Sequence, residues 1–406
     1  MMAMTKILAI ETSCDETAIA VLEVKGLGIS KSFRVLSSVV SSQVALHKKF
    51  GGVVPALAKR EHQRNLVPVL LKALREAGFL ELESKNTEPG KKSVNNSKFI
   101  ILNSILEREP ELLSRIKKSV LNISVPKIDA IAVTYGPGLA PALWVGVNFA
   151  KALSLIWNKP VIPVNHLEGH IYTNLLPVNW KIQNSGFRIQ NFLFPALCLI
   201  VSGGHTELVF IKKYGSYKII GETLDDAAGE AFDKVAKMLG LGYPGGPKIS
   251  KLAESFKIKN LKFKISLPRP MIKSNDYKFS FSGLKTAVLY FLQFHTEFLK
   301  SKAGKAAVAC EFQKAAVDVL VSKTIRAAKE YKVKTLMIGG GVAANTLLRE
   351  RLASESKNKL LHTTFYLPPT NVTGDNALMI GIAAVFGKNK KTRRELRAEP
   401  NLRLGS

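Results

Sequence analysis

The sequence predicts an α/β protein of two related lobes, and three observations carry that reading. Its 406 residues exceed what one ordinary core organises and suit two. A strand–turn–strand unit occurs twice. Lys6-Ile7-Leu8-Ala9-Ile10 runs into polar Glu11-Thr12-Ser13-Cys14-Asp15-Glu16-Thr17 and out through Ala18-Ile19-Ala20-Val21-Leu22. Ala196-Leu197-Cys198-Leu199-Ile200-Val201 runs into Ser202-Gly203-Gly204-His205-Thr206 and out through Leu208-Val209-Phe210-Ile211. Recurrence near the start and near mid-chain marks an internal duplication, with two unrelated hairpins as the alternative. Third, the strand Lys334-Thr335-Leu336-Met337-Ile338 meets Gly339-Gly340-Gly341 and then a helix opening at Val342 to Arg349. That order sets bare backbone amides and a positive helix end beside a ligand.

Between these units, Thr223-Leu224-Asp225-Asp226 has capping-box spacing. It predicts a helix through Glu230, Phe232, Val235 and Leu239 that stops in the loop Gly240-Leu241-Gly242-Tyr243-Pro244-Gly245-Gly246-Pro247. Residues 83–98 read as a polar surface loop and 99–120 as helix. Phe279-Ser280-Phe281-Ser282-Gly283-Leu284-Lys285-Thr286 contacts phosphate or base, or else forms a strand-to-helix corner with Ser282 as N-cap. Beyond Gly387, Lys388, Lys390, Lys391, Arg393, Arg394 and Arg397 predict a mobile basic tail.

Charge narrows the partners. Lys+Arg 59 against Asp+Glu 31 gives +28, a field that attracts polyanions and releases their counterions, as in nucleic-acid binding. Lys-rich solubilising loops are the alternative. Cys14, Cys198 and Cys310 make neither a disulfide framework nor a cysteine metal cluster, which suits a reducing cytoplasm. The first residues match neither a secretory h-region nor a transit peptide, and no apolar stretch is expected to approach the ~18 residues of a membrane span.

The sharpest chemical signal is His166-Leu167-Glu168-Gly169-His170. On a helix, residues four apart share a face, within reach of one divalent ion. Two histidines supply half a site, so a third protein ligand, a carboxylate by preference, must come from elsewhere. The alternative is a pair of hydrogen-bonded histidines. A zinc-protease reading is weak, because Glu168 lies two places after the first histidine and at ~100° per residue points away from the histidine face. No P-loop and no Gly-x-Gly-x-x-Gly after a strand occurs. What remains for a nucleotide is the set of glycine turns. Asp233 either accepts bonds from a ribose diol or is a surface carboxylate paired with Lys234 or Lys237. Cys14 reads as a half-buried small residue, with no histidine near it in sequence.

Taken in order, these segments resemble the bacterial and organellar threonylcarbamoyltransferase family. The matching motifs are Ile10-Glu11-Thr12-Ser13-Cys14-Asp15-Glu16-Thr17, Gly51-Gly52-Val53-Val54-Pro55 with Arg60-Glu61-His62, Gly136-Pro137-Gly138-Leu139, and Asn165 through His170. Val201 through Thr206, residues 221–247, residues 279–286, Gly339 through Asn345 and Asp375-Asn376-Ala377 complete the set, over about residues 7–385. The resemblance implies an actin-like, Hsp70-like two-lobed fold with a duplicated mixed-sheet core and nucleotide in the interlobe cleft. It divides the chain into a first lobe (1–165, with an insertion near 81–126), a second lobe (166–374), a helix returning to the first lobe (375–387) and a basic tail (388–406).

It also implies one divalent metal, iron with zinc as the alternative, on His166, His170 and Asp375. The adenylate substrate would meet Ile200, Val201, Ser202, Gly203, Gly204, Asp233, Gly246 and Asn345. The implied reaction moves threonylcarbamoyl from its adenylate to the amine of the adenosine beside the anticodon in tRNAs reading codons that begin with adenine, releasing AMP. The metal would act as a Lewis acid, with backbone amides helping to stabilise the developing oxyanion. Bacterial relatives imply an actin-like paralogue and a small P-loop ATPase as partners, organellar ones a homodimer, and neither a membrane. Gly374 stands where the family pattern suggests threonine, and residues 177–194 look longer than its usual connection. A metalloendopeptidase would need a base that Glu168 does not provide. An actin-like kinase would have no use for the two histidines, and a non-catalytic subunit would lack the ligands.

Overall fold

The computed structural model describes residues 4–26, 31–80, 96–177, 180, 186–188, 192–258, 265–386 and 395–405. In the first sheet β1 (Met4–Glu11) pairs antiparallel with β2 (Glu16–Lys25) and β2 with β3 (Ser32–Ser42), while β4 (Ala130–Gly136) and β5 (Val161–Asn165) add parallel on the other side of β1. The second sheet repeats this plan. There β7 (Ala196–Val201), β8 (Thr206–Lys213) and β9 (Ser216–Glu222) form the antiparallel part, and β10 (Thr335–Gly339) and β11 (Thr364–Tyr366) are the parallel strands. The orders β5-β4-β1-β2-β3 and β11-β10-β7-β8-β9 are the same path twice, so the recurring unit is a duplication.

Period-two alternation sorts each strand between cores. Leu8, Ile10, Ile19 and Val21 face an outer core shared with α1 (Pro55–Glu76) and α2 (Ala140–Trp157). Ile7, Ala9, Ala18 and Ala20 face a central core that also takes Ala196, Cys198 and Ile200 of the second sheet. Leu197, Leu199 and Val201 face the outer core of the second lobe, with α4 (Ala228–Met238), α6 (Ser282–Phe294), α7 (Lys302–Glu330) and α8 (Thr346–Lys359). The lobes therefore join through one apolar layer. Two helices run in it: α3 (His166–Tyr172), which follows β5 and packs on β7 and β10, and α9 (Ala377–Ala384), which returns to β1 and β2. Close approach there needs glycine, since a Cβ on Gly381 would lie 2.3 Å from Leu22 Cδ1 and one on Gly169 2.9 Å from Met379 Cγ.

Several expectations are corrected. The helix expected at Thr223 begins at Ala228. Asp225 is drawn away by Ser280 and the Phe281 and Ser282 amides, Thr223 donates to the Asp226 carbonyl, and Thr206 Oγ1 accepts from Ala228 N instead. The 279–286 segment is the strand-to-helix corner, but Phe281 holds the N-cap position and Ser282 is the first helical residue. The 99–120 helix is broken into Asn96–Ile105, Pro110–Arg115 and a π turn at Ile116–Val120, Pro110 opening the second piece. Most of the loop expected at 83–98 lies outside the described residues.

Strand β6 (Gly186–Arg188), although beyond residue 165, pairs with β3 in the first sheet. The tail splits: 387–394 lies outside the described residues, whereas 395–405 is docked. Leu396 is fully buried in the first lobe, Glu399 N donates to Tyr135 O at 2.7 Å, Leu404 enters the central core and Arg403 reaches Glu222 of the second lobe at 2.7 Å. Finally, α2 is by length and composition apolar enough to span a membrane, contrary to the expectation that no stretch approaches that length. Its interior faces pack on β4 and α1, which makes it a core helix of this fold.

Candidate functional site

Strand β5 ends at Asn165, whose Oδ1 accepts from Leu167 N at 2.9 Å and so caps α3. The two histidines then fall on one helical face, as their spacing requires, with ring centroids 4.7 Å apart and planes nearly perpendicular. Helix α3 lies hard against the end of β10: a Cβ on Gly339 would stand 2.7 Å from the His170 carbonyl oxygen. From the opposite side, the residue before the Asn376 cap of α9 presents its carboxylate. Asp375 Oδ1 is 3.2 Å from His170 Nε2 and 3.5 Å from His166 Nε2, and one ligand atom from each of the three lies within 4.8 Å of the others. A Cβ on Gly374 would meet nothing within 4 Å, so no neighbouring atom requires glycine at this departure from the family pattern.

The donor set fits a divalent metal. His170 is fully buried; its Nδ1 has no hydrogen-bond partner, and its Nε2 faces only the Asp375 carboxylate, at 3.2 Å and without hydrogen-bond geometry. Leaving a buried polar group unpaired costs ~1–3 kcal/mol, which coordination of one nitrogen relieves. Two imidazoles with one carboxylate is a set that suits first-row divalent ions and leaves positions for substrate.

The local electrostatics follow from burial and mutual charge. Burial works against a charged His166, but the carboxylates of Asp375 and Glu11 prevail and hold it up to about 9. Burial resists ionisation of Asp375, and the two imidazoles overcome it, keeping this carboxyl well below the usual range. Burial keeps His170 down. His205, in the β7–β8 turn, is pushed down to about 4 by burial and by both metal-site histidines. Glu16 is raised to about 10 by burial, then by Asp375 and Asp15. Tyr243 of the second lobe donates to Asp15 Oδ2 at 3.5 Å across the cleft. Burial and then the neighbouring acids push the Cys14 thiol well up, which disfavours its thiolate.

The expected substrate residues divide by what they do. Ser202, Gly203 and Gly204 form a tight turn in which Ser202 Oγ accepts from Gly204 N and His205 N at 3.3 and 3.1 Å. Cβ atoms on Gly203, Gly204 or Gly246 would meet nothing within 4 Å, so their bareness serves no internal contact and leaves room for a ligand. Ile200 and Val201 are fully buried and set the turn without offering side chains to the cleft. Gly340, at φ +90°, lets β10 approach so closely that a Cβ would lie 2.3 Å from Val201 O.

Asp233 is neither free nor paired with lysine. Its Oδ1 accepts from Gly245 N at 2.6 Å at the start of α5 (Gly245–Ile258), while Lys234 pairs with Asp226 and Glu230. Asn345 caps α8 by accepting from Leu348 N, and both amide hydrogens go to Ser250 and Gln313. Sequence reasoning missed Glu11, Glu16, His205 and Tyr243 as neighbours of the centre. The signal for the first three was their place in the two recurring turns; Tyr243 gave none.

Two copies of one mixed sheet, joined through a shared core with a His-His-Asp cluster at the junction, define an actin-like, Hsp70-like α/β protein with a metal-competent interlobe cleft. A family model described as tRNA N6-adenosine threonylcarbamoyltransferase matches residues 34–83 and 107–382. Curated proteins of that name are 41% identical in Thermosipho africanus, over 98% of this chain and 99% of that one, and 43% identical in Thermosipho melanesiensis, over 98% and 99%. The Bacillus subtilis protein is 41% identical over 98% of this chain and 96% of its own length. The chain belongs to this family.

Proposed function

We propose that the chain transfers threonylcarbamoyl from threonylcarbamoyladenylate to the exocyclic amine of the adenosine beside the anticodon of tRNA. The amine nitrogen bonds to the carbamoyl carbon, the bond from that carbon to the phosphate oxygen breaks, and AMP leaves. His166, His170 and Asp375 hold the metal, iron in preference to zinc, which when bound supplies Lewis acidity at the carbonyl or phosphate. The amides of the Ser202-Gly203-Gly204 turn receive the phosphate, and Ile200 and Val201 fix that turn from within the sheet. Asp233, its carboxylate fixed by the Gly245 and Gly246 amides, and Gly246 flank the ribose. Asn345 acts through the backbone it shapes, its amide being engaged. Glu168 takes no part as a base in this reading, because its place two residues after His166 sets it off the histidine face.

The observation that carries this reading is the convergence of the His-His-Asp cluster with the open glycine turn of the second lobe: Gly339 abuts the His170 carbonyl while the next residue, Gly340, abuts Val201 and Ser202 of that turn. The charge of +28 supports tRNA as partner. Because the relatives are bacterial, the partners are an actin-like paralogue and a small P-loop ATPase in preference to a homodimer, in the cytoplasm. The lobes divide at 165/166 apart from β6, which joins the first sheet, with 375–387 returning to the first. The test is nucleoside mass spectrometry of tRNA from cells depleted of the protein. Threonylcarbamoyladenosine should vanish and return with the wild-type chain but not with Asp375→Ala; undiminished modification after depletion would refute the reading.

A further inference from the structure

One buried carboxylate beside the cluster belongs to none of the roles above. Glu11 ends β1 and is completely buried. Its Oε1 accepts from Ser13 N at 2.5 Å, and its Oε2 accepts from Thr134 Oγ1 at 2.5 Å. The same Oε2 lies 3.1 Å from His166 Nδ1, with Ser13 Oγ 3.2 Å from that nitrogen. Thr134 is fully buried on β4, the strand beside β1. Two donors from the surrounding backbone and side chain thus fix the carboxylate before it meets the ring, and an acceptor so placed requires the proton on Nδ1. With Nδ1 so engaged, Nε2, on the Asp375 side, is the nitrogen left to ligate once a cation displaces its proton. His170 has no such partner on its Nδ1, so the two histidines are unequally supported.

We propose that Glu11 is a positioning residue for the metal centre: with Thr134 behind it, it locks His166 in the Nε2-ligating tautomer and orientation. Outer partners of metal-bound histidines fix the ring and raise its basicity, and their loss typically costs ~10–100-fold in metal affinity.

The inference rests on the metal reading, and the experiment separates the two. Cobalt(II) is titrated into the full-length wild-type chain, His170→Ala, Glu11→Gln and Thr134→Val, following ligand-field absorption and equilibrium affinity. The wild type should bind one cobalt and His170→Ala should not, which tests the metal reading alone. Glu11→Gln, which keeps the shape but brings a donor to Nδ1, should bind ~10–100-fold more weakly with an altered spectrum. Thr134→Val, which leaves the carboxylate but removes its brace, should fall between. Should Glu11→Gln fail to fold, as judged by circular dichroism, Thr134→Val decides. Wild-type affinity and spectrum in Glu11→Gln, or in Thr134→Val when the first cannot be measured, would overturn the proposal while leaving the three ligands in place.

Discussion

The β1–β2 turn and the β7–β8 turn occupy equivalent places in the duplicated sheets, yet one is closed and the other open. In the first lobe Glu11, Thr12 and Ser13 are buried. Gly138 and Gly146 press on them so tightly that Cβ atoms there would fall 2.7 Å from Ser13 O and 2.1 Å from Thr12 Oγ1. His62 pins the rest of the turn through the Cys14 carbonyl at 2.9 Å and Thr17 Oγ1 at 2.8 Å. In the second lobe Gly203 and Gly204 are exposed, and nothing stands where their side chains would be. Duplication supplied one backbone device twice. In the reading proposed above, the closed copy is part of the frame that steadies His166, and the open copy is the one whose amides receive the ligand. The difference separates residues whose loss should harm the fold from residues whose loss should harm binding.

The largest effect is expected outside both turns, at the ligands they serve. Asp375→Ala should lower transfer on the order of 10³-fold with thermal unfolding little changed, measured by a reconstituted assay beside calorimetry. Next come the turns themselves. Gly138→Ala adds a Cβ into the closed turn at φ +156° and should destabilise by ~1–3 kcal/mol, read by denaturant unfolding. Gly204→Val in the open turn should leave stability within ~0.5 kcal/mol yet weaken the adenylate at least about tenfold, some 1.4 kcal/mol, read by calorimetric titration. If the two variants exchange phenotypes, the contrast between the turns is wrong.

Asp233→Ala removes the acceptor at the start of α5 and should cost ~0.5–2 kcal/mol, weakening the adenylate while metal content stays at wild type. Smallest is Arg403→Ala, whose ion pair with Glu222 is exposed on both sides; it should change stability by no more than ~1 kcal/mol. Deleting 395–406 should instead unfold the chain at a clearly lower temperature through loss of Leu396 and Leu404, because that segment is docked.

Much of this contrast was legible in the sequence. Period-two apolar runs around two polar turns gave the duplicated sheets, and the four-residue histidine spacing gave the α3 face, because both depend on local geometry. Asp375 was legible only through the family motif, since nothing local to residue 375 says that α9 will return beside α3. Glu11 was hidden for the same reason, being 155 residues from His166. Asp233 and Asn345 were named through the family motif, and nothing local to them foretold the backbone amides of Gly245 and Leu348 that they also hold, which packing settles. The capping-box spacing at Thr223 misled because Asp225 is claimed by a corner 56 residues away. The tail's charge suggested mobility; over 395–405, the part within the described residues, two buried leucines dock it instead.

The central claim is that His166, His170 and Asp375 form one metal centre on which transfer depends, and purified His170→Ala tests it most directly. Metal analysis and a single-turnover transfer assay on the same preparation should find the metal gone and transfer abolished, while circular dichroism matches the wild type. A metal-free His170→Ala protein that transfers threonylcarbamoyl at a near-normal rate would contradict the account.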